Sequence, residues 1–118
     1  MNIRLEDIHL KITLRLEDSE GRRRFGPGVA ALLTEVRKNR SLRAAAASMG
    51  MAYSKAWRIV RSAEESFGCK LLDSTIGGRN GGGAVLTREA EELLDAYQAL
   101  RDEVSVYARE CFRRRFGE

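Results

Sequence analysis

SLRAAAASMGMAYSKAWRIVRSA, residues 41–63, is the stretch whose reading decides the fold. It reads as two short helices joined by a tight turn at Gly50. In the second, entered through Tyr53 and Ser54, the residues Ala56, Ile59, Val60, Ala63 and Phe67 share one apolar arc about 100° wide at helical spacing. Ser54, Lys55, Arg58, Arg61 and Ser62 fall in the opposite arc. Such a helix hides an oily underside and shows a small, polar, cationic face whose first residues lie at its start. A helix that enters a DNA major groove from its N-terminal end needs this arrangement.

The preceding helix fits the same picture. Ser41 is placed to cap it, and Leu42, Ala45, Ala46 and Met49 supply its buried side. Ala46 is small where two helices cross closely. Gly50 can take the positive φ of a sharp helix end, and Met51 covers the turn. Charge makes an independent argument. Residues 36–63 hold seven basic side chains (Arg37, Lys38, Arg40, Arg43, Lys55, Arg58, Arg61) and no acidic one. The whole chain carries 21 basic and 17 acidic side chains, so the net +4 conceals a strongly cationic segment on a mildly acidic body. A localised patch of this kind suits a polyanion, because neutralised phosphates release condensed counterions.

The 118 residues, 43% apolar and 32% charged, suffice for one globular unit with its own core. No run approaches the ~20 apolar residues of a membrane span. The N-terminus MNIRLEDIHL carries charge too early for a secretory signal, so a cytoplasmic location is expected. Two distant cysteines, Cys69 and Cys111, and a single histidine, His9, make no zinc set and no disulfide framework. No nucleophile–base pair or metal cluster marks an enzyme, and no cofactor is expected.

Upstream, IHLKITLRL (residues 8–16) alternates strictly, with Ile8, Leu10, Ile12, Leu14 and Leu16 on one face. That predicts a half-buried strand. EDSEG reads as a turn, and GRRRFG as a short return strand ending at Phe25. The three arginines 22–24 read first as an exposed basic hairpin, with contact to DNA as the alternative. Pro27 opens a helix whose buried side is Val29, Leu32, Leu33 and Val36, and Asn39-Arg40 ends it.

Downstream, Gly68 stops the second helix of the central pair. In CKLLDSTIGGRNGGGAVLT, KLLDS and AVLT read as two short strands around a glycine-rich tip. No GK[ST] follows the glycines, so a β-hairpin wing with Arg79 as its cation suits them better than a nucleotide loop. Thr87 caps a last helix with acidic residues in its first turns. Its apolar positions Ala90, Leu93, Tyr97, Leu100, Val104, Tyr107 and Cys111 recur at gaps of three and four, a heptad seam expected to pair with a second copy.

With these elements in place, the chain resembles the N-terminal DNA-binding domain of the ModE family of molybdate-dependent transcriptional regulators, itself related to the winged-helix domains of LysR-type regulators. The likeness is carried by the alternating N-terminal segment, FGPG at 25–28, SLRAAAASMGMAY at 41–53, the pair Ala56-Trp57 and GGRNGGGAVLT at 77–87. The resemblance implies a dimer that reads an operator through its winged helix-turn-helix. The family's oxyanion-binding domains have no counterpart before Glu118, so no molybdate site is expected within this chain.

The expectation is a mostly α fold with a small β-hairpin component. A winged helix-turn-helix domain with an N-terminal strand occupies residues 1–87, and a C-terminal dimerisation helix residues 88–118. Double-stranded DNA is the expected partner. Lys55 and Arg58 are expected at base edges, Ser54 at base or phosphate, and Arg40, Arg43, Arg61 and Arg79 on the backbone. Leu93, Tyr97, Leu100, Val104 and Tyr107 are expected in a homodimer contact. The competing reading is a winged-helix protein-interaction module, since the fold alone does not fix function.

Overall fold

A computed structural model of the chain describes residues 3–74 and 83–117. The order of elements is β1 (Leu16–Glu17), β2 (Arg23–Phe25), α1 (Pro27–Asn39), α2 (Leu42–Ser48), α3 (Tyr53–Phe67), β3 (Leu72–Ser74), β4 (Ala84–Leu86) and α4 (Arg88–Phe116). The strands form two antiparallel pairs, β1 with β2 and β3 with β4. Helices α1, α2 and α3 pack on one another, and α4 lies against α1 and β4. Three helices with a hairpin behind them and a long helix across one side make a winged helix-turn-helix.

Local chemistry sets most boundaries. The Ser41 hydroxyl accepts the Ala44 N–H at 3.0 Å and caps α2. At the other end Gly50 sits at φ +66, its N–H donating to the Ala47 carbonyl and the Met51 N–H to Ala46, both at 3.0 Å. This is the paired closure that lets a helix stop within two residues, and glycine is the residue that adopts it without strain. Gly68 ends α3 in the same left-handed conformation. Thr87 caps α4 by accepting the Ala90 N–H at 3.1 Å, while its hydroxyl donates to the Lys70 carbonyl at 2.7 Å. One residue thereby starts the helix and ties it to the root of the β3–β4 hairpin.

The core is apolar and continuous. Leu32, Leu33 and Val36 of α1 meet Ala45 and Ala46 of α2, Ala56 and Val60 of α3, and Leu94 and Tyr97 of α4. Each large side chain so buried contributes about 1.5–3 kcal/mol relative to exposure. Phe25 stands at the junction, its ring edge-on to Tyr97 at 5.0 Å and to Phe67 at 6.1 Å between centroids. The Tyr97 hydroxyl donates to the Leu14 carbonyl at 2.7 Å, pinning the incoming chain to α4.

Two expectations change. The strand read over residues 8–16 pairs only at its end: Leu16 opposes Phe25 and Glu17 opposes Arg23 across an irregular register. The return strand is three residues long, so it offers residues 8–15 no ladder, and Ile8, Leu10 and Ile12 are exposed. Alternation alone cannot supply a partner edge. On α4, Leu94 rather than Leu93 is the fully buried leucine, and Tyr97, read as part of the seam, lies in the chain's own core. Leu94→Ala is therefore expected to cost about 2–5 kcal/mol in urea unfolding, and Leu93→Ala clearly less. Equal losses would place the packing face of α4 elsewhere.

Candidate nucleic-acid interface

The orientation of α3 follows from its underside. Ala56, Val60 and Ala63 are buried against the other helices, with Ile59 half-buried beside them. Turning that arc inward turns Ser54, Lys55, Arg58, Arg61 and Ser62 outward, and all five are exposed. Arg58 and Ser62 line the shallow depressions on both flanks of the helix, so they stand on its crest. The turn at Gly50 brings the start of α2 beside the start of α3, and there the Arg43 guanidinium lies 4.1 Å from the centre of the Tyr53 ring. Arg61 reaches over the half-buried Trp57 ring at 5.6 Å. Stacking of this kind holds a long side chain extended while leaving its charge in solvent.

The cationic segment divides into two classes. Arg37 donates to Glu91 at 2.9 Å and lies 3.4 Å from Asp95, while Lys38 lies 3.5 Å from Glu35. These two belong to the scaffold: Arg37 bridges α1 to α4, and the hydrogen bond it donates to Glu91 outweighs desolvation and raises its pKa above the ordinary guanidinium value. Arg40, Arg43, Lys55, Arg58 and Arg61 have no carboxylate within ion-pair distance among the described residues. Unneutralised charge is thus collected on the face around α2 and α3. Arg79 lies outside the described residues, so its expected backbone contact carries no geometry here.

Some positioning was not visible in the sequence. Arg40 takes a left-handed conformation, φ 56, at the end of α1, and its carbonyl accepts the Ala84 N–H of β4 at 3.0 Å. That conformation costs a non-glycine residue about 1–2 kcal/mol, and the bond it allows fastens the β3–β4 hairpin to the helical core. The Glu64 carboxylate accepts the Leu71 N–H at 2.9 Å, fastening the same hairpin to α3. In the N-terminal hairpin, Asp18 receives the N–H groups of Glu20 and Arg22 and the guanidinium groups of Arg22 and Arg24. The Arg22 N–H above all holds this carboxyl below the ordinary carboxylate range, so it remains charged at neutral pH. Two of the three consecutive arginines are thereby neutralised, and Arg23 is left free.

A helical trio with a hairpin behind it and an unpaired cationic helix held outward defines a winged helix-turn-helix of the kind found in nucleic-acid-binding domains. Residues 30–91 match the bacterial regulatory helix-turn-helix proteins of the lysR family, and the chain belongs to that family. Within it the likeness is to ModE-type proteins. The chain is 36% identical over 77 residues to the molybdenum-pterin-binding protein MopB of Rhodobacter capsulatus, covering 65% of this chain and 28% of that protein. It is 29% identical over 96 residues to the transcriptional regulator ModE of Haemophilus influenzae, covering 81% of this chain and 36% of that protein. The matched part thus spans about a third or less of these relatives.

Among solved structures, the fold superposes on the BenM DBD in its complex with benA site 1 DNA at a TM-score of 0.56 and 21% identity, over 77% of this chain and 97% of that one. A LysR family transcriptional regulator superposes at 0.56 and 16% identity, over 77% and 30%. At that identity the likeness is one of fold. No helix among the described residues is long and apolar enough to cross a membrane.

The turn that sets α3 against α2 is open to a direct test. A Cβ on Gly50 would meet nothing within 4 Å, so Gly50→Ala is opposed by backbone conformation alone. A loss of about 1–2 kcal/mol in thermal or urea unfolding is expected. No loss would mean that the turn does not hold the left-handed conformation.

Proposed function

We propose that this chain is the DNA-binding part of a ModE-like transcriptional regulator, acting on double-stranded DNA as a homodimer in the cytoplasm. The observation that carries the reading is the outward face of α3, where Lys55, Arg58 and Arg61 stand exposed and free of carboxylates, flanked by Arg40 and Arg43. Lys55 and Arg58 are assigned to base edges in the major groove, where Arg and Lys match guanine O6 and N7. Ser54 is assigned to base or phosphate. Arg40, Arg43 and Arg61 are assigned to phosphates, which fix register rather than sequence, and Arg79, outside the described residues, to the backbone. The regulator names of the relatives support the same reading.

Homodimerisation is assigned to the outer part of α4. Ala90, Leu94 and Tyr97 bury the first turns of this 29-residue helix, and none of its residues beyond Tyr97 is buried in the chain itself. Leu100 and Tyr107 are 41% and 64% exposed on the predicted seam. Val104 is half-buried between them, and Leu93, also half-buried, begins the seam against the body. Apolar residues repeating along a helix about 43 Å long invite a second helix. A two-fold pair would present its two α3 helices about 34 Å apart, one turn of duplex, on half-sites spaced accordingly.

Selection of bound duplexes from a random pool, followed by anisotropy titration, tests the DNA assignment. Arg58→Ala is expected to weaken the selected duplex by about 1–3 kcal/mol and to relax preference at one base position. Unchanged affinity and preference would remove Arg58 from the base-reading set, and failure of wild-type protein to bind duplex at all would overturn the reading. Leu100→Asp is expected to give monomers in sedimentation with an unaltered circular dichroism spectrum, and a persisting dimer would move the contact off this seam.

A further inference from the structure

Beside α3 lies a cleft of about 470 Å³, walled by the β1–β2 hairpin, the start of α1 and one flank of α3. Arg15 and Arg23 from the hairpin face Lys55 and Arg58 from α3 across it, and no carboxylate is among its lining residues. None of these four side chains has a salt-bridge or hydrogen-bond partner among the described residues. The contrast with their neighbours is informative. Arg24, also at the cleft, is bound to Asp18 at 2.7 Å and to the Ser66 hydroxyl at 2.9 Å, and Arg22 is held by Asp18 and Glu20. The hairpin therefore pairs Arg22 and Arg24 with carboxylates and leaves Arg15 and Arg23 unpaired at the cleft.

Four like charges around one hollow repel, and the arrangement is stabilised when an anion enters. The walls between them are apolar: Pro27 is exposed, and Val29 and Ile59 are half-buried. A sugar–phosphate strand offers both characters in alternation, charged phosphates and the C–H faces of deoxyribose. Position favours the same occupant. Arg58 stands on the crest of α3, and a groove that admits a helix is about 12 Å wide, so a phosphodiester strand runs along each flank of the inserted helix. The cleft is the flank on the side of Lys55 and Ile59.

From this we infer that the N-terminal hairpin is a second DNA-contacting arm: one backbone strand of the duplex lies in the cleft, with Arg15 and Arg23 each on a phosphate. The inference rests on the DNA-binding reading above and adds contacts that the two central helices and the β3–β4 hairpin do not make. Gly26 takes part in the geometry, because a Cβ there would stand 3.2 Å from the Cγ of Arg15. Its absence lets the arginine stem cross the hairpin toward the cleft.

The test is anisotropy titration of the duplex selected by wild-type protein, over salt from about 50 to about 200 mM, with the full chain. The slope of log affinity against log salt changes by about 0.9 per phosphate contact, so the Arg15→Ala/Arg23→Ala protein should show a slope shallower by about 2. Its base preference, measured against mismatched duplexes, should be unchanged. Arg22→Ala should keep the wild-type slope, and Arg15→Lys/Arg23→Lys should restore most of it, which separates lost contacts from lost folding.

A double-alanine slope equal to wild type, or an equal reduction in Arg22→Ala, would overturn the inference while leaving the DNA-binding reading intact. Absence of duplex binding by wild-type protein would overturn both. Inorganic phosphate is the control for a free anion. If it shifts the amide resonances of Val29 and Ile59 in wild-type but not double-alanine protein, while the DNA slopes of the two agree, the cleft is a small-anion site and the arm is refuted.

Discussion

The packing of the small-residue underside of α3 against α1 and α2 sets the direction of every charged group on its other face. Ala56, Val60 and Ala63 are short enough for α3 to lie close on its neighbours, and their burial leaves one rotation of the helix compatible with a filled core. In that rotation Lys55 and Arg58 point outward. The restriction is steric before it is electrostatic, since a helix with a bulkier underside would sit higher and turn its polar arc elsewhere.

Rigidity around that contact comes from backbone closures more than from ion pairs. The glycine turn at Gly50 shortens the connection between α2 and α3, and the Arg40 carbonyl and Glu64 carboxylate each take an N–H from the strand side of the β3–β4 hairpin. Thr87 joins that hairpin to α4. The exposed ion pairs are worth little by comparison, about 1 kcal/mol or less each in water. Their larger consequence is sorting. By pairing with Arg22, Arg24, Arg37 and Lys38, the carboxylates Asp18, Glu20, Glu35, Glu91 and Asp95 leave Arg40, Arg43, Lys55, Arg58 and Arg61 as the unpaired cations of α2, α3 and the turn before them.

Phe25 and Tyr97 tie the two ends of the chain into this arrangement. Their rings meet edge-on, and the Tyr97 hydroxyl holds the Leu14 carbonyl. The N-terminal hairpin is thereby kept next to α3, and α4 leaves the body with Leu100 and Tyr107 exposed. The cationic face proposed for DNA and the α4 face proposed for a second copy are thus both positioned by this aromatic junction.

Much of this was legible in the residues themselves. Helix caps at Ser41 and Thr87, the stops at Gly50 and Gly68, the two strands on either side of the glycine-rich sequence and the amphipathic division of α3 are local properties, set by side-chain chemistry within one or two turns. What only the tertiary structure decided concerns partners distant in sequence. Residues 8–15 alternate like a strand yet lack an edge to pair with, because the return strand is short. Tyr97 fits a heptad yet is drawn inward by Phe25. The cluster of Arg15, Arg23, Lys55 and Arg58 is brought together across some forty residues of chain. A sequence pattern specifies which face of an element is apolar. Only packing specifies what that face meets, because burial depends on the shape of every neighbour at once.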